Sequence, residues 1–296
     1  MNRHTLQIIV IIAIFFISVR GVSQTYVYLD ENGKEISANN FDEKCNSNLL
    51  FQCLVIKQTK EFVISQIRLK QKFGKISPLE ANQIKKLLSK DGKEELSNEK
   101  ILLISYYDSL ADYRASKEMH NFLEEKFINY YKKHIDEYKR YYKKNKVTYF
   151  SKFNKEIFEK KIKKFSKKKK KCKTKFEKKF DINVVFMHSD SSKFEKNYSD
   201  FKWVKDRGVI NSVFIKNDMQ DSLTSKKVRF LVLKPDGEYF ISNYHYNNNS
   251  KILKTLLKNK NWSDYKEDYK KSLYGNIMGV GLFKRESRYH YKAHCF

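Results

Sequence analysis

Three apolar runs, "ILLISYY" (Ile101–Tyr107), "INVVFM" (Ile182–Met187) and "RFLVL" (Arg229–Leu233), constrain this chain more than any other feature. Each is short, rich in branched and aromatic residues, and without polar alternation, so each reads as a strand buried on both faces. Such strands need helices to cover them, and the intervening sequence supplies helical patterns. After the first run the break Asp108–Asp112 leads into an amphipathic stretch. There Leu123, Phe127, Tyr130, His134, Tyr138 and Tyr141 recur every three or four residues, which sets them on one helix face, read as a core face. Asn145 interrupts this pattern, and a second phase runs through Phe158, Ile162, Phe165, Cys172 and Phe176 amid lysines.

Beyond the second run, "SSKFEKNYSDFKWVKD" is expected to be a helix with its apolar face at Phe194, Tyr198 and Phe201, completed by the stem of Lys205. "KVRFLVLKPDGEYFISNYHY" reads as two strands joined at Lys234–Gly237, with Pro235 presetting φ and Gly237 ending the turn. "NNNSKILKTLLKN" closes as a capped helix. From Trp262 onward no clean period is present. Upstream, "TYVYLDENGKEIS" predicts a hairpin around Asn32-Gly33, and "LLFQCLVI" with "EFVISQIRLKQKF" a strand pair. "SPLEANQIKKLLSKDG" predicts a helix with Ser77 as cap, Pro78 at the first turn and Glu80 closing a capping box.

The expected organisation is therefore a leader at 1–24, a small α+β unit at 25–100, a larger domain at 101–260 with a helical insertion at about 116–180, and a tail at 261–296. The boundary between unit and domain is placed in the polar stretch Ser89–Lys100. The leader "MNRHTLQIIVIIAIFFISVRGVSQ" has a basic start, an apolar run from Ile8 to Val19 and small residues after it, the layout of a secretory signal. Twelve residues rise only about 18 Å as a helix, short of a bilayer core of roughly 30 Å. Arg20 beside the cleavage region is atypical and leaves an uncleaved anchor as the alternative. An exported protein, periplasmic or secreted, is expected. In an oxidising compartment Cys45, Cys53, Cys172 and Cys295 allow three full pairings. A Cys45–Cys53 bridge and a pair of free, half-buried thiols are the two readings of the first two.

A formal net charge of +27 points to anionic partners, although AT-rich codons also supply lysine. The pentalysine Lys167, Lys168, Lys169, Lys170 and Lys171, inside a basic tract from Lys160 to Lys179, is the candidate contact with a membrane or lipopolysaccharide surface. Phe165, Phe176 and Phe180 flank it as residues able to enter such a surface. A solvated helix face is the competing reading, and nucleic acid is a partner an exported protein rarely meets. "HYKAHC" (His290–Cys295) has helical metal-ligand spacing but lacks a third ligand nearby, and no metal or cofactor is expected. His188, Asp190 and Ser191 in "MHSDSS" read as a helix start rather than a triad. P-loop, dinucleotide and H-E-x-x-H motifs are absent from the sequence.

Taken from Ile101 to Lys260, the order strand, long helix, strand, helix, strand, hairpin turn, strand, helix resembles the thioredoxin-like superfamily, with "VRFLVLKPDGEYFI" similar to its closing hairpin. The resemblance implies an α/β (α+β) fold with a mixed sheet, a long helical insertion, and an active-site corner at Asp108–Arg114. It also implies that the corner is chemically empty. Where related oxidoreductases carry C-x-x-C, this chain has "ADYR", Ala111 to Arg114, and where they carry a cis-proline it has Val228. Dithiol exchange needs an attacking thiolate and a resolving thiol, and neither is present there. The function expected is a non-catalytic binding or structural role with an unidentified partner. Adsorption to an anionic surface through the lysine tract is the alternative, and a thiol oxidoreductase using Cys45 and Cys53 a second one.

Overall fold

At Lys70 the polypeptide leaves one sheet and enters another, and this step divides the molecule. The computed structural model describes residues 24–107, 110, 112–134, 153–189, 198, 201–209, 230–242, 249–258, 262–274 and 278–284. Residues 1–23 of the leader, Asp108, Ala111, Phe194, Val228 and the His290–Cys295 motif lie outside the described residues. Two compact units result: one from the chain up to Leu69 together with a segment starting at Glu267, the other from Lys70–Lys266.

In the first unit β1 (Thr25–Leu29) is followed by α1 (Ala38–Ser47), β2 (Phe51–Gln58) and β3 (Phe62–Leu69), and the sheet order is β1-β3-β2. The pair β2 and β3 is antiparallel, as the sequence indicates, but β1 joins β3 in parallel. The expected N-terminal hairpin is reduced to one bridge, Leu29 with Glu35. Its turn does form: the Asp30 carboxylate accepts from the N–H groups of Asn32 and Lys34 at 2.8 Å, and Gly33 takes φ 81°. The second arm stops because Ser37 caps α1, accepting from the Asn40 N–H. Cys45 on α1 and Cys53 in β2 are disulfide-bonded, with Cα atoms 5.9 Å apart. Phe283 is fully buried here, its carbonyl accepting from the Leu49 N–H at 2.7 Å, so part of the expected tail is a core element of this unit.

The second unit begins with β4 (Gln71–Lys75) and α2 (Pro78–Gly92), then β5 (Leu102–Tyr107), α3 (Tyr113–Lys133), α4 (Lys155–Phe180), β6 (Asn183–Ser189), β7 (Val204–Asp206), β8 (Phe230–Leu233), β9 (Glu238–Ser242) and α5 (Asn249–Lys258). Its mixed sheet has the order β4-β9-β8-β5-β6-β7. The central strands β5 and β6 are parallel, in register from Leu102 with Asn183 to Tyr107 with His188. Strand β8 runs antiparallel to β5 on its other side, and β9 and β4 continue antiparallel outward. Together these elements make a mixed α/β fold.

Two sequence assignments shift. The division between units falls at Leu69 and Lys70 rather than in Ser89–Lys100, because β4 pairs with β9 and α2 buries Ala81, Ile84 and Leu88 against Leu102, Ile104, Leu231 and Ile241 of the sheet. The expected helix through Trp203 and Asp206 ends differently, since Val204–Asp206 is an edge strand parallel to β6, with Val204 and Asp206 buried and Lys205 exposed. The β8–β9 turn is tied to the chain before α2: the Ile76 N–H donates to the Gly237 carbonyl at 3.0 Å. Gly237, at φ 85°, lies so close to the Ile76 carbonyl that a Cβ would collide with it. A further helix, α6 (Ser263–Tyr274), spans the boundary of the division. Among the described residues no helix is long and apolar enough to cross a membrane.

Candidate functional site

The parallel strands β5, β6 and β7 end on the same side of the sheet, the side where open α/β folds place ligands and chemistry. Strand β5 ends at Tyr107, and Asp112 caps α3, its carboxylate accepting from the Ala115 N–H at 2.8 Å. Arg114 points to solvent and pairs with Glu118 at 3.1 Å on the same helix face. Between them, Leu110 is buried with Phe158, Ile162 and Tyr198. Tyr107, Leu110 and Tyr113 of this corner therefore run into an aromatic cluster.

Tyr107 stands edge-on to Trp203 at 5.3 Å and to Phe165 at 6.0 Å, while Phe165 and Trp203 are nearly coplanar in tilt, 6° apart, at 6.2 Å. Trp203 also meets Phe186, Phe201 and Tyr198 edge-on. Such ring pairs place positive edges against negative faces and add to simple area burial. Two buried polar atoms near α4 and the cluster, Trp203 Nε1 and Ser166 Oγ, have no hydrogen-bond partner among the described residues.

Lys169 is the charged member of this arrangement. Its residue is 7% exposed, and its ammonium lies 5.4 Å from the ring centroids of Tyr107 and Phe165 and 5.6 Å from that of Phe186. The negative ring faces attract the cation, yet burial removes more hydration than they restore. Burial, with the charge of Lys168 added, pushes the ammonium down to about 8. Lys169 thus leaves the set proposed for surface contact. It faces inward, whereas Lys167, Lys168, Lys170 and Lys171 are exposed. The period of Phe158, Ile162, Phe165, Cys172 and Phe176 already points at 169, so the signal was present in the spacing.

On the opposite face of the sheet Tyr106 donates to the buried Asp206 carboxylate at 3.0 Å, and the Gly208 N–H donates to the same group at 3.0 Å. His188 Nδ1 lies 2.9 Å from the Ser189 carbonyl and donates to it. Asp190 and Ser191 lie outside the described residues. Among the described residues no group of three or more His, Cys, Asp or Glu is placed to hold a metal ion. Cys172 is buried on α4 and is not free.

Beside the C-terminal half of α4 lies an open groove of about 410 Å³, lined by Glu94, Lys170, Lys173, Thr174, Glu177, Phe201 and Lys202. Lys173 is held by Glu94 at 2.8 Å and Glu177 at 3.5 Å. Among the described residues Lys170 and Lys202 have no ion-pair partner, and the three lysines of the lining outnumber its two glutamates. The apolar side chains of α4 are turned away from solvent: Phe158, Ile162, Cys172 and Phe176 are buried and Phe165 and Phe180 half-buried. The flanking phenylalanines of the lysine tract are therefore committed to packing and unavailable for entry into a lipid phase. No protein-family model, no curated protein and no solved structure matches this chain.

Proposed function

We propose that the chain is an exported, non-catalytic binding or structural protein built on a thioredoxin-like sheet, acting on a partner other than nucleic acid. The observation that carries this reading is the strand order β6-β5-β8-β9, with β5 and β6 parallel and the β8–β9 hairpin antiparallel, combined with a β5-to-α3 corner that has no cysteine. In a dithiol enzyme that corner presents a thiolate at a helix start. Here Asp112 occupies the cap, and the neighbouring side chains Tyr107 and Leu110 join an aromatic cluster. Export is supported by the apolar leader pattern and is compatible with the Cys45–Cys53 disulfide, since oxidising compartments preserve such bonds.

Insulin reduction tests the reading. With dithiothreitol as electron donor, the purified chain is expected to precipitate insulin no faster than a blank, and clear turnover overturns the proposal. A catalytic disulfide at Cys45 and Cys53 makes the opposite prediction, and it is separated by repeating the assay with Cys53→Ser.

A further inference from the structure

The packing of α4 leaves a cationic line on its outer side. With Phe158, Ile162, Lys169, Cys172 and Phe176 directed into the unit, helical geometry puts Lys160, Lys164, Lys167, Lys171 and Lys178 on the opposite side, and all five are exposed. At 1.5 Å per residue this line is about 27 Å long. Lys163, Lys168 and Lys175 flank it, also exposed. Lys160 of the line is neutralised by Glu156 at 2.7 Å; Lys164, Lys167, Lys171 and Lys178 have no carboxylate partner among the described residues. Like charges one turn apart repel each other, so the line costs folding stability unless counter-charge is gathered along it.

We propose that this face is an adsorption surface for an anionic lipid bilayer, to which the protein is held by charge alone, without insertion. Two observations choose the bilayer. The line holds lysines and the single Thr174, with no arginine, aromatic or amide group, so it offers point charges and no fork or ring for reading a phosphate or base in a fixed geometry. The helix is seated along its length by its buried side chains Phe158, Ile162, Cys172 and Phe176, which leaves a half-exposed cylinder. A plane of laterally mobile headgroups meets such a cylinder along its whole line, whereas a duplex groove needs a helix that projects into it. This surface is independent of the thioredoxin-like reading, and the insulin assay and the vesicle assay fail separately.

The test is co-sedimentation of the full chain with phosphatidylcholine vesicles that contain phosphatidylglycerol. The variants are Lys164→Gln/Lys167→Gln/Lys171→Gln and the same three positions changed to Glu. All three side chains are solvent-exposed, so far-ultraviolet circular dichroism of the variants is expected to match the parent. A lysine at an anionic surface contributes about fivefold in partition, so the Gln variant is expected to bind about 100-fold more weakly and the Glu variant more weakly still. Parent binding is expected to vanish on pure phosphatidylcholine and near 1 M salt, where the screening length is about 3 Å. Equal binding by parent and both variants, or parent binding that survives high salt, overturns the proposal. So does a triple variant that loses affinity for a DNA duplex while keeping its affinity for the vesicles.

Discussion

Two buried lysines of the second unit show how the same residue type stabilises in one setting and destabilises in another. Lys85 is fully buried, yet its ammonium donates to the carbonyls of Asn98 and Lys100, each at 2.7 Å; burial holds it below the usual lysine range. Lys85→Met removes the donor for two carbonyls and is expected to cost about 2 kcal/mol in urea unfolding. Lys169 instead rests among ring faces, with its ammonium pushed down to about 8 from 10.5. The proton is thus bound more weakly in the folded chain than in the unfolded one. The resulting penalty, on the order of 3 kcal/mol, is fully present below pH 8 and is relieved as pH rises toward 10.5. Lys169→Met is therefore expected to be more stable than the parent at pH 7, with the gap closing by pH 10 in paired denaturation curves. A gap that widens with pH sinks this account. Neither lysine is marked in the sequence by composition: "QIKKLL" does not say which lysine is buried, whereas the apolar phase of α4 does reach position 169.

Elements with local signals were legible, and those made by distant pairing were not. Helix α2 starts as its sequence requires. The Ser77 hydroxyl accepts from the Glu80 N–H, while the Glu80 carboxylate accepts from the Ser77 N–H at 2.8 Å and from the Ser77 hydroxyl at 2.7 Å, and these two bonds to the carboxylate hold it below its ordinary value. Ser77→Ala is expected to cost about 1 kcal/mol in thermal or urea unfolding, and a neutral result would show that α2 is fixed by packing alone. The three apolar runs became β5, β6 and β8, because continuous burial is written residue by residue. Strand β7 was missed because three residues carry too little pattern and its pairing depends on Met187–Ser189 far upstream. The stripe on α3 misled for another reason. Periodicity reports that apolar residues share a face, not that the face is covered, and Leu123 and Tyr130 are 44% and 61% exposed. Tyr138 and Tyr141 lie outside the described residues.

At the scale of the whole molecule, the order of the inner strands β6-β5-β8-β9 could be anticipated from element order because crossover and hairpin rules admit few alternatives for such strands, whereas the edge strands β4 and β7 were assigned elsewhere. The division into units could not be anticipated, since "EFVISQIRLKQKF" reads as one strand rich in branched and aromatic residues but serves two sheets around Lys70. If the first unit holds its own core, loss of its disulfide stays local. Cys53→Ser is expected to lower protection by about 2 kcal/mol in β2 and β3 during amide hydrogen exchange, with β5 and β8 unchanged; equal loss in all four means the units unfold together. The segment from Glu267 that carries Phe283 also sets an order of events. A ribosome delivers β1, α1, β2 and β3 early, but the side chain that fills their interior arrives more than two hundred residues later. The earliest strands must therefore wait, incompletely closed, while the later unit is already able to assemble, and any helper that shields nascent apolar surface has its longest task at Phe51 and Ile67.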